Sequence, residues 1–208
     1  MTQLSARRSA TRERLLQAAA EAFAESGVLG ATVEQICDKA GFTRGAFYSN
    51  FESKTDLCLA LMAAQSKRSY EALAKAADHL DEDPGPLTTE KFQANIRTIL
   101  AVVLDQMDSD ESVLFSMEMR AYVVRNPEVL PVYREFDRKL SASFTDLVER
   151  LLKSHGMKMR LPASEAFPLL AGVSEHALLN ARIRGQSRED AIVELARTVE
   201  VLIAPRDD

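Results

Sequence analysis

Apolar positions recur at helical spacing along almost the whole chain, and the breaks between them fall at caps, glycines and prolines. Leu16, Ala19, Ala20 and Phe23 predict a first helix over about 11–26, stopped near Gly27. Val33, Ile36, Cys37 and Ala40 fall at i, i+3, i+4 and i+7, one stripe of a short second helix. Thr32 can cap it while Gln35 reaches back, and Gly41 supplies the left-handed residue that ends a helix tightly. Thr43 can cap a third helix over 44–48. Ser53 with Asp56 opens a fourth, long one over about 54–79, with Leu57, Ala60, Leu61 and Ala64 inward at its start. Pro84, Gly85 and Pro86 break the chain.

Beyond that break the helical period continues, with no alternating strand pattern. Phe92, Ile96, Ile99, Val103 and Met107 line a fifth helix, and 113–124 forms a sixth that is apolar over much of its circumference. Asn126, Pro127 and Glu128 read as a helix start by N-cap, first-turn proline and early acid. The seventh helix then carries Tyr133, Phe136, Leu140, Phe144, Leu147 and Leu151 as far as Gly156. An eighth spans about 164–184 and stops at Gly185, with Phe167, Leu170, Val173, Leu178, Leu179 and Ile183 spread over more than one face. Ser187 and Asp190 box the start of a ninth, which carries Ile192, Leu195, Val199, Leu202 and Ile203 and ends at Pro205. The expectation is an all-α protein of about nine helices: a head over 1–54, and a helical body over 55–208 reached through the long fourth helix. Surface apolar on two sides in the last helix pair predicts pairing with a second copy, through Leu170, Leu178, Leu179, Leu195, Val199 and Leu202.

Two short helices joined by a glycine turn have the shape of a helix-turn-helix, whose second helix enters the major groove of double-stranded DNA. Its leading residues here are Thr43, Arg44 and Gly45. An arginine can bond a guanine edge through two N–H groups, and glycine permits close approach. Tyr48 offers a hydroxyl to a phosphate, and Lys54 sits in the first turn of the next helix, where a phosphate is also favoured. Residues 1–10 read as a flexible arm, with Arg7, Arg8, Arg12 and Arg14 clustered at its junction for phosphate or minor-groove contact.

Charge refines this picture. The chain of 208 residues carries a formal net charge of −5, which excludes general DNA coating. The balance is uneven: residues 1–54 hold seven Lys/Arg against six Asp/Glu, and the remainder nineteen against twenty-five. Affinity for DNA follows local basic groups rather than the total. No apolar run is long enough to span a membrane and the N-terminus carries no apolar signal region, so a cytoplasmic protein with no membrane partner is expected. Cys37 and Cys58 are too few for a disulfide scaffold or a zinc site and read as small core residues. The acidic stretch Asp78, His79, Asp81, Glu82 and Asp83 has no standard metal-loop spacing and reads as a solvated linker, so no metal or cofactor is expected.

The run from Thr32 to Leu57 resembles the TetR family of transcriptional regulators, whose signature is T-V-x-x-I-x-x-x-A-G-h-[ST]-x-G-x-h-Y-x-x-F-x-s-K-x-x-L with h apolar. Thr32, Val33, Ile36, Ala40, Gly41, Thr43, Gly45, Tyr48, Phe51, Lys54 and Leu57 fit in register. Asn50 stands where many members have histidine, and Cys37 where many have alanine. The expected DNA-binding set is Thr32, Thr43, Arg44, Gly45, Phe47, Tyr48, Asn50 and Lys54. The resemblance implies a homodimeric repressor on a palindromic operator, released by a small-molecule effector, and an effector cavity in the helical body. Met107, Phe115, Met119, Tyr122 and Phe144 are the expected lining, which suits an apolar or amphipathic compound. Two other classes compete with this one. An all-helical enzyme would need a catalytic constellation, and His79, His155 and His176 sit in no recognised motif. A helical interaction module with a decayed head would not have kept Thr43, Arg44, Gly45 and Tyr48 intact.

Overall fold

A computed structural model describes residues 3–81, 89–106 and 110–205. Among them are nine α-helices: α1 (Gln3–Gly30), α2 (Val33–Ala40), α3 (Arg44–Tyr48), α4 (Lys54–Asp81), α5 (Thr89–Gln106), α6 (Asp110–Arg125), α7 (Leu130–Ser154), α8 (Ala163–Arg184) and α9 (Arg188–Leu202). The all-α expectation holds. Two departures are local. Met157–Met159 and Ile203–Pro205 form a small antiparallel ladder with Lys158 opposite Ala204. Three-residue strands are too short to show the alternation that would betray them in sequence. The other departure is at the N-terminus, where α1 begins at Gln3, so the expected arm is helical. Nothing in that segment breaks a helix, and the Thr11 hydroxyl donates to the Arg7 carbonyl one turn back.

The chain packs as two units, neither contiguous. The first comprises residues 1–66 and 109–136, the second 67–108 and 137–208. This division differs from the expected cut after residue 54: the start of α4, all of α6 and the start of α7 belong to the first unit. The first unit's core joins Leu15, Phe23, Ile36, Phe47, Phe51 and Leu57 to Phe115, Met119, Val123 and Val129. Phe115 stacks on Phe23 with ring centroids 5.4 Å apart. The α1 stripe centres on Leu15, Ala18, Ala19, Ala22 and Phe23, with Leu16 and Ala20 only partly buried.

Helix α1 breaks at Gly27, whose φ of 71° lies in the left-handed region that glycine alone enters freely. The Glu118 carboxylate of α6 accepts the freed N–H of Val28. A Cβ at position 27 would meet that carboxylate at 2.8 Å, so any other residue would strain the backbone and push Glu118 off the Val28 N–H.

In the second unit, α5, α8 and α9 share a core of Ile96, Leu100, Leu104, Ala177, Ala181, Ile192 and Leu195. A second cluster forms around Leu73, Phe144 and Leu147, with Tyr70 and Phe167 packed against it. Helix α8 buries its alanines rather than the large residues its sequence advertises, so Ile183 is 71% exposed. Ser187 caps α9 in a full box with Asp190, as its spacing predicts, and that hydrogen bond holds the Asp190 carboxyl below its usual range. Asn126 does not cap the turn that begins at Pro127: its Nδ2 donates back to the Tyr122 carbonyl at 2.7 Å.

Candidate nucleic-acid interface

Two caps set the two-helix motif. Thr32 Oγ1 accepts from the Gln35 N–H at 3.2 Å while the Gln35 side chain accepts from the Thr32 N–H at 2.8 Å. Thr43 Oγ1 accepts from the Ala46 N–H at 3.2 Å. Between them Gly41 turns the chain at φ 69°, and its N–H reaches the carbonyl of Asp38. Phe47 is fully buried, wedged against Phe51 (5.8 Å between centroids) and edge-on to Tyr48 (5.2 Å). It anchors α3 into the core and leaves Thr43, Arg44, Gly45 and Tyr48 exposed together on the outer side.

Arg44 is held loosely on that exposed side. Its Nη1 pairs with Glu34 of α2 at 2.6 Å, and its guanidinium lies 5.9 Å from the Tyr48 ring centroid. Tyr48 first and Glu34 second push its pKa above the ordinary value, so it is a cation at any working pH. Both partners are solvent-exposed, and such pairs exchange readily for a competing acceptor. A Cβ on Gly45 would find only Thr43 Oγ1, at 3.7 Å. The protein itself therefore has room for a side chain there, and any demand for glycine comes from what approaches the helix.

Three of the expected contact residues are held within the head. Phe47 is core, because its ring faces inward from a five-residue helix that needs an anchor. Lys54 Nζ donates to the carbonyls of Val28 and Ala31, at 2.8 and 2.9 Å, closing the segment that follows the Gly27 break. The Asn50 side-chain N–H₂ donates to the Ala46 carbonyl at 2.8 Å, which ties it back into α3. Lys54→Met should therefore lower the stability of the folded protein by about 2 kcal/mol in thermal melts, from losing charge-assisted bonds to two carbonyls. The salt dependence of DNA binding should stay unchanged; a shallower salt slope would return Lys54 to a phosphate.

Three arginines of α1 make contacts within the head itself. Arg12 Nη1 donates to the Asn50 carbonyl at 2.8 Å, with its guanidinium 4.2 Å from the Phe51 ring centroid. Arg8 Nη2 donates to the Ser49 carbonyl at 3.2 Å. Arg14 Nη2 donates to the Ala40 carbonyl at 2.9 Å and lies over Phe42 at 4.8 Å. The last carbonyl of α2 and the two carbonyls just past α3 are thus met by guanidinium groups from α1. The i, i+4 spacing of Arg8 and Arg12 was the available signal, since it puts both on one face of a continuous helix.

The other expected residues are placed as follows within each unit. Phe115 and Met119 are buried in the first unit's core, with Tyr122 packed beside them and its hydroxyl 3.0 Å from Thr55 Oγ1. Phe144 belongs to the second unit, stacked on Phe167 at 5.1 Å and edge-on to Tyr70 at 5.6 Å. Met107, Glu82 and Asp83 lie outside the described residues. Of the expected dimer residues, Leu195 is fully buried in its own unit and Leu178 and Val199 pack against the same core, because small α8 residues let α9 sit close. Cys37 and Cys58 are both buried. Burial pushes the Cys58 thiol up to about 12 and raises Cys37 as well, so neither is a thiolate near neutral pH. With a thiol-specific disulfide reagent at pH 8 the native protein should react only at the rate of global opening, and urea should release both thiols.

A capped two-helix reader with exposed Thr43, Arg44 and Gly45, braced by α1, defines a helix-turn-helix protein of all-α build. The family described as "Bacterial regulatory proteins, tetR family" matches residues 15–61. The HTH-type transcriptional repressor BepR of Brucella suis is 27% identical over 207 residues, covering 98% of this chain and 95% of that protein. The HTH-type transcriptional regulator SrpR of Pseudomonas putida is 43% identical over 79 residues, 32% of this chain and 37% of that protein. In fold, a TetR-family transcriptional regulator from Agrobacterium tumefaciens superposes with a TM-score of 0.61 at 18% identity, over 95% of this chain and all of that one (100%). Residues 15–61 thus carry the DNA-binding segment of the TetR family of transcriptional regulators, and the chain over nearly its whole length is similar to BepR. No helix among the described residues is long and apolar enough to cross a membrane.

Proposed function

We propose that the protein is a repressor that binds a palindromic operator as a homodimer. Each subunit sets α3 in a major groove, with half-sites about 34 Å apart. The observation that carries this is the exposed Thr43, Arg44 and Gly45 edge, held out by a Phe47 that is itself fully buried. Near full-length similarity to a named repressor, BepR, supports the sign of regulation. Thr32, at the mouth of α2, and Tyr48 supply phosphate contacts in this reading, and Arg44 leaves Glu34 for a base edge.

The second copy docks on the outer face of α8 and α9. There Leu169, Ile183 and Val201 are 55%, 71% and 71% exposed, and Leu170, Leu179 and Leu202 are half-buried beside them. An apolar or amphipathic effector enters the second unit beside Tyr70, Phe144 and Phe167, and favours a conformer in which the reading heads no longer match the operator. By linkage, operator DNA weakens the effector in return.

Selection of bound fragments from sheared genomic DNA at two salt concentrations tests the reading. Recovery of one palindrome, with affinity falling as salt rises, supports it. A folded dimer that enriches no sequence at low salt rejects it.

A further inference from the structure

We infer that Arg12 is a positioning residue for the reading helix: it sets the pose of α3 by holding the Asn50 carbonyl while stacked on Phe51, and does not contact DNA phosphate. This rests on the DNA-reading proposal above. Helix α3 has only five residues, and its Gly45 and Phe47 carbonyls are met by the N–H groups of Ser49, Asn50 and Phe51 just beyond it, so its exit segment is part of what holds it. Such a helix has little stability of its own, and its orientation depends on what grips its two ends. Thr43 holds the N-terminal end through the Ala46 N–H. Arg12 holds the exit, with Nη1 2.8 Å from the Asn50 oxygen and its guanidinium carbon 4.2 Å from the Phe51 centroid.

Both anchors fix the same group. Phe51 is 1% exposed, so the ring that Arg12 covers belongs to the core and cannot swing with the arginine. A guanidinium over a fixed ring, with one N–H spent on a carbonyl, has its direction set by two separate contacts. Arg8, one turn earlier, meets the neighbouring Ser49 carbonyl at 3.2 Å but is exposed, so it is the group with charge to spare for a phosphate. The geometry thus divides two arginines on one helix face: Arg8 at the rim, Arg12 inside as the brace.

The two roles give different signatures. A phosphate contact adds to binding on every sequence and to the salt slope. A brace adds to neither; it acts only where α3 must sit in register with base edges, so it changes the ratio of specific to non-specific affinity. The test uses the full-length wild type with Arg12→Gln and Arg12→Lys. The probes are the highest-affinity fragment recovered in the genomic selection and a scrambled duplex of equal length, each titrated at several salt concentrations. Arg12→Gln should bind the selected fragment about tenfold more weakly, the value of one charge-assisted hydrogen bond, with scrambled-duplex affinity and salt slope unchanged. Arg12→Lys keeps the charge but lacks the planar stack, so it should also lose discrimination.

Equal losses on both duplexes with a shallower slope in Arg12→Gln, and full recovery in Arg12→Lys, would make Arg12 a phosphate contact and overturn the inference. Unchanged discrimination in both variants overturns it equally. If Arg12→Gln melts below the assay temperature, Arg12→Lys decides alone. A wild type that selects no fragment ends the DNA-reading proposal instead, an outcome visible before any variant is made.

Discussion

Phe47→Ala abolishes operator binding by unfolding the head, at a cost of about 3–5 kcal/mol in the stability of the first unit. Phe47 is fully buried and its ring touches both Tyr48 and Phe51. Truncation opens a void on the inner side of a five-residue helix that is too short to keep its place without that anchor. A neighbour cannot easily fill the space, because Phe51 is fixed beneath Arg12 and Ile36 is itself fully buried. Chemical denaturation of the full chain checks this, with the head's transition moving to lower denaturant. Phe47→Leu, which keeps most of the volume, should recover most of the loss. A variant that melts like the wild type yet fails to bind DNA would mean that Phe47 contacts DNA directly after all.

Arg44→Ala has the second largest effect, and it separates from the first by leaving the fold alone. Its neighbours are the exposed Glu34 carboxylate and Tyr48, so the melting curve and dimer should be unaffected. Discrimination for the selected operator over scrambled duplex should fall about tenfold to a hundredfold, with the loss concentrated at one base position of each half-site. Fluorescence anisotropy against a set of single-base variants reads this directly. A uniform drop over all variants would assign Arg44 to the phosphate backbone. Glu34→Gln is the companion measurement: it frees Arg44 without removing it, and base discrimination should persist.

Much of this was legible in the sequence where chemistry is local. Thr32, Thr43 and Ser187 were readable as caps because a hydroxyl three residues before the N–H it accepts from depends on nothing distant. Gly41 was readable for the same reason, and the stripe of Val33, Ile36, Cys37 and Ala40 lies as its period requires. What stayed hidden depends on partners far along the chain. Arg12 meets Asn50 38 residues on, and Lys54 meets Val28 26 residues back; spacing cannot announce either. Phe115 and Met119 have the composition of a ligand pocket and of a core alike, and only contact with Phe23 decides between them. Leu195 looked like surface for a second subunit because the alanines of α8, which let α9 approach, carry no hydrophobic signal of their own.

The head's core is also a statement about when this protein can work. Phe23 finds its stacking partner in Phe115, and Met119, Val123 and Val129 complete the same cluster. During synthesis the reader is therefore unfinished while its own helices, all encoded before residue 66, are already outside the ribosome. It must wait for residues up to 136, with the rest of α4, all of α5 and all of α6 made in between. Closing so long a loop makes maturation of the head a late, slow event. A nascent chain paused or cut short in the interval carries the complete two-helix motif but no settled DNA grip, so truncated products of this gene should not compete with the finished regulator for its sites.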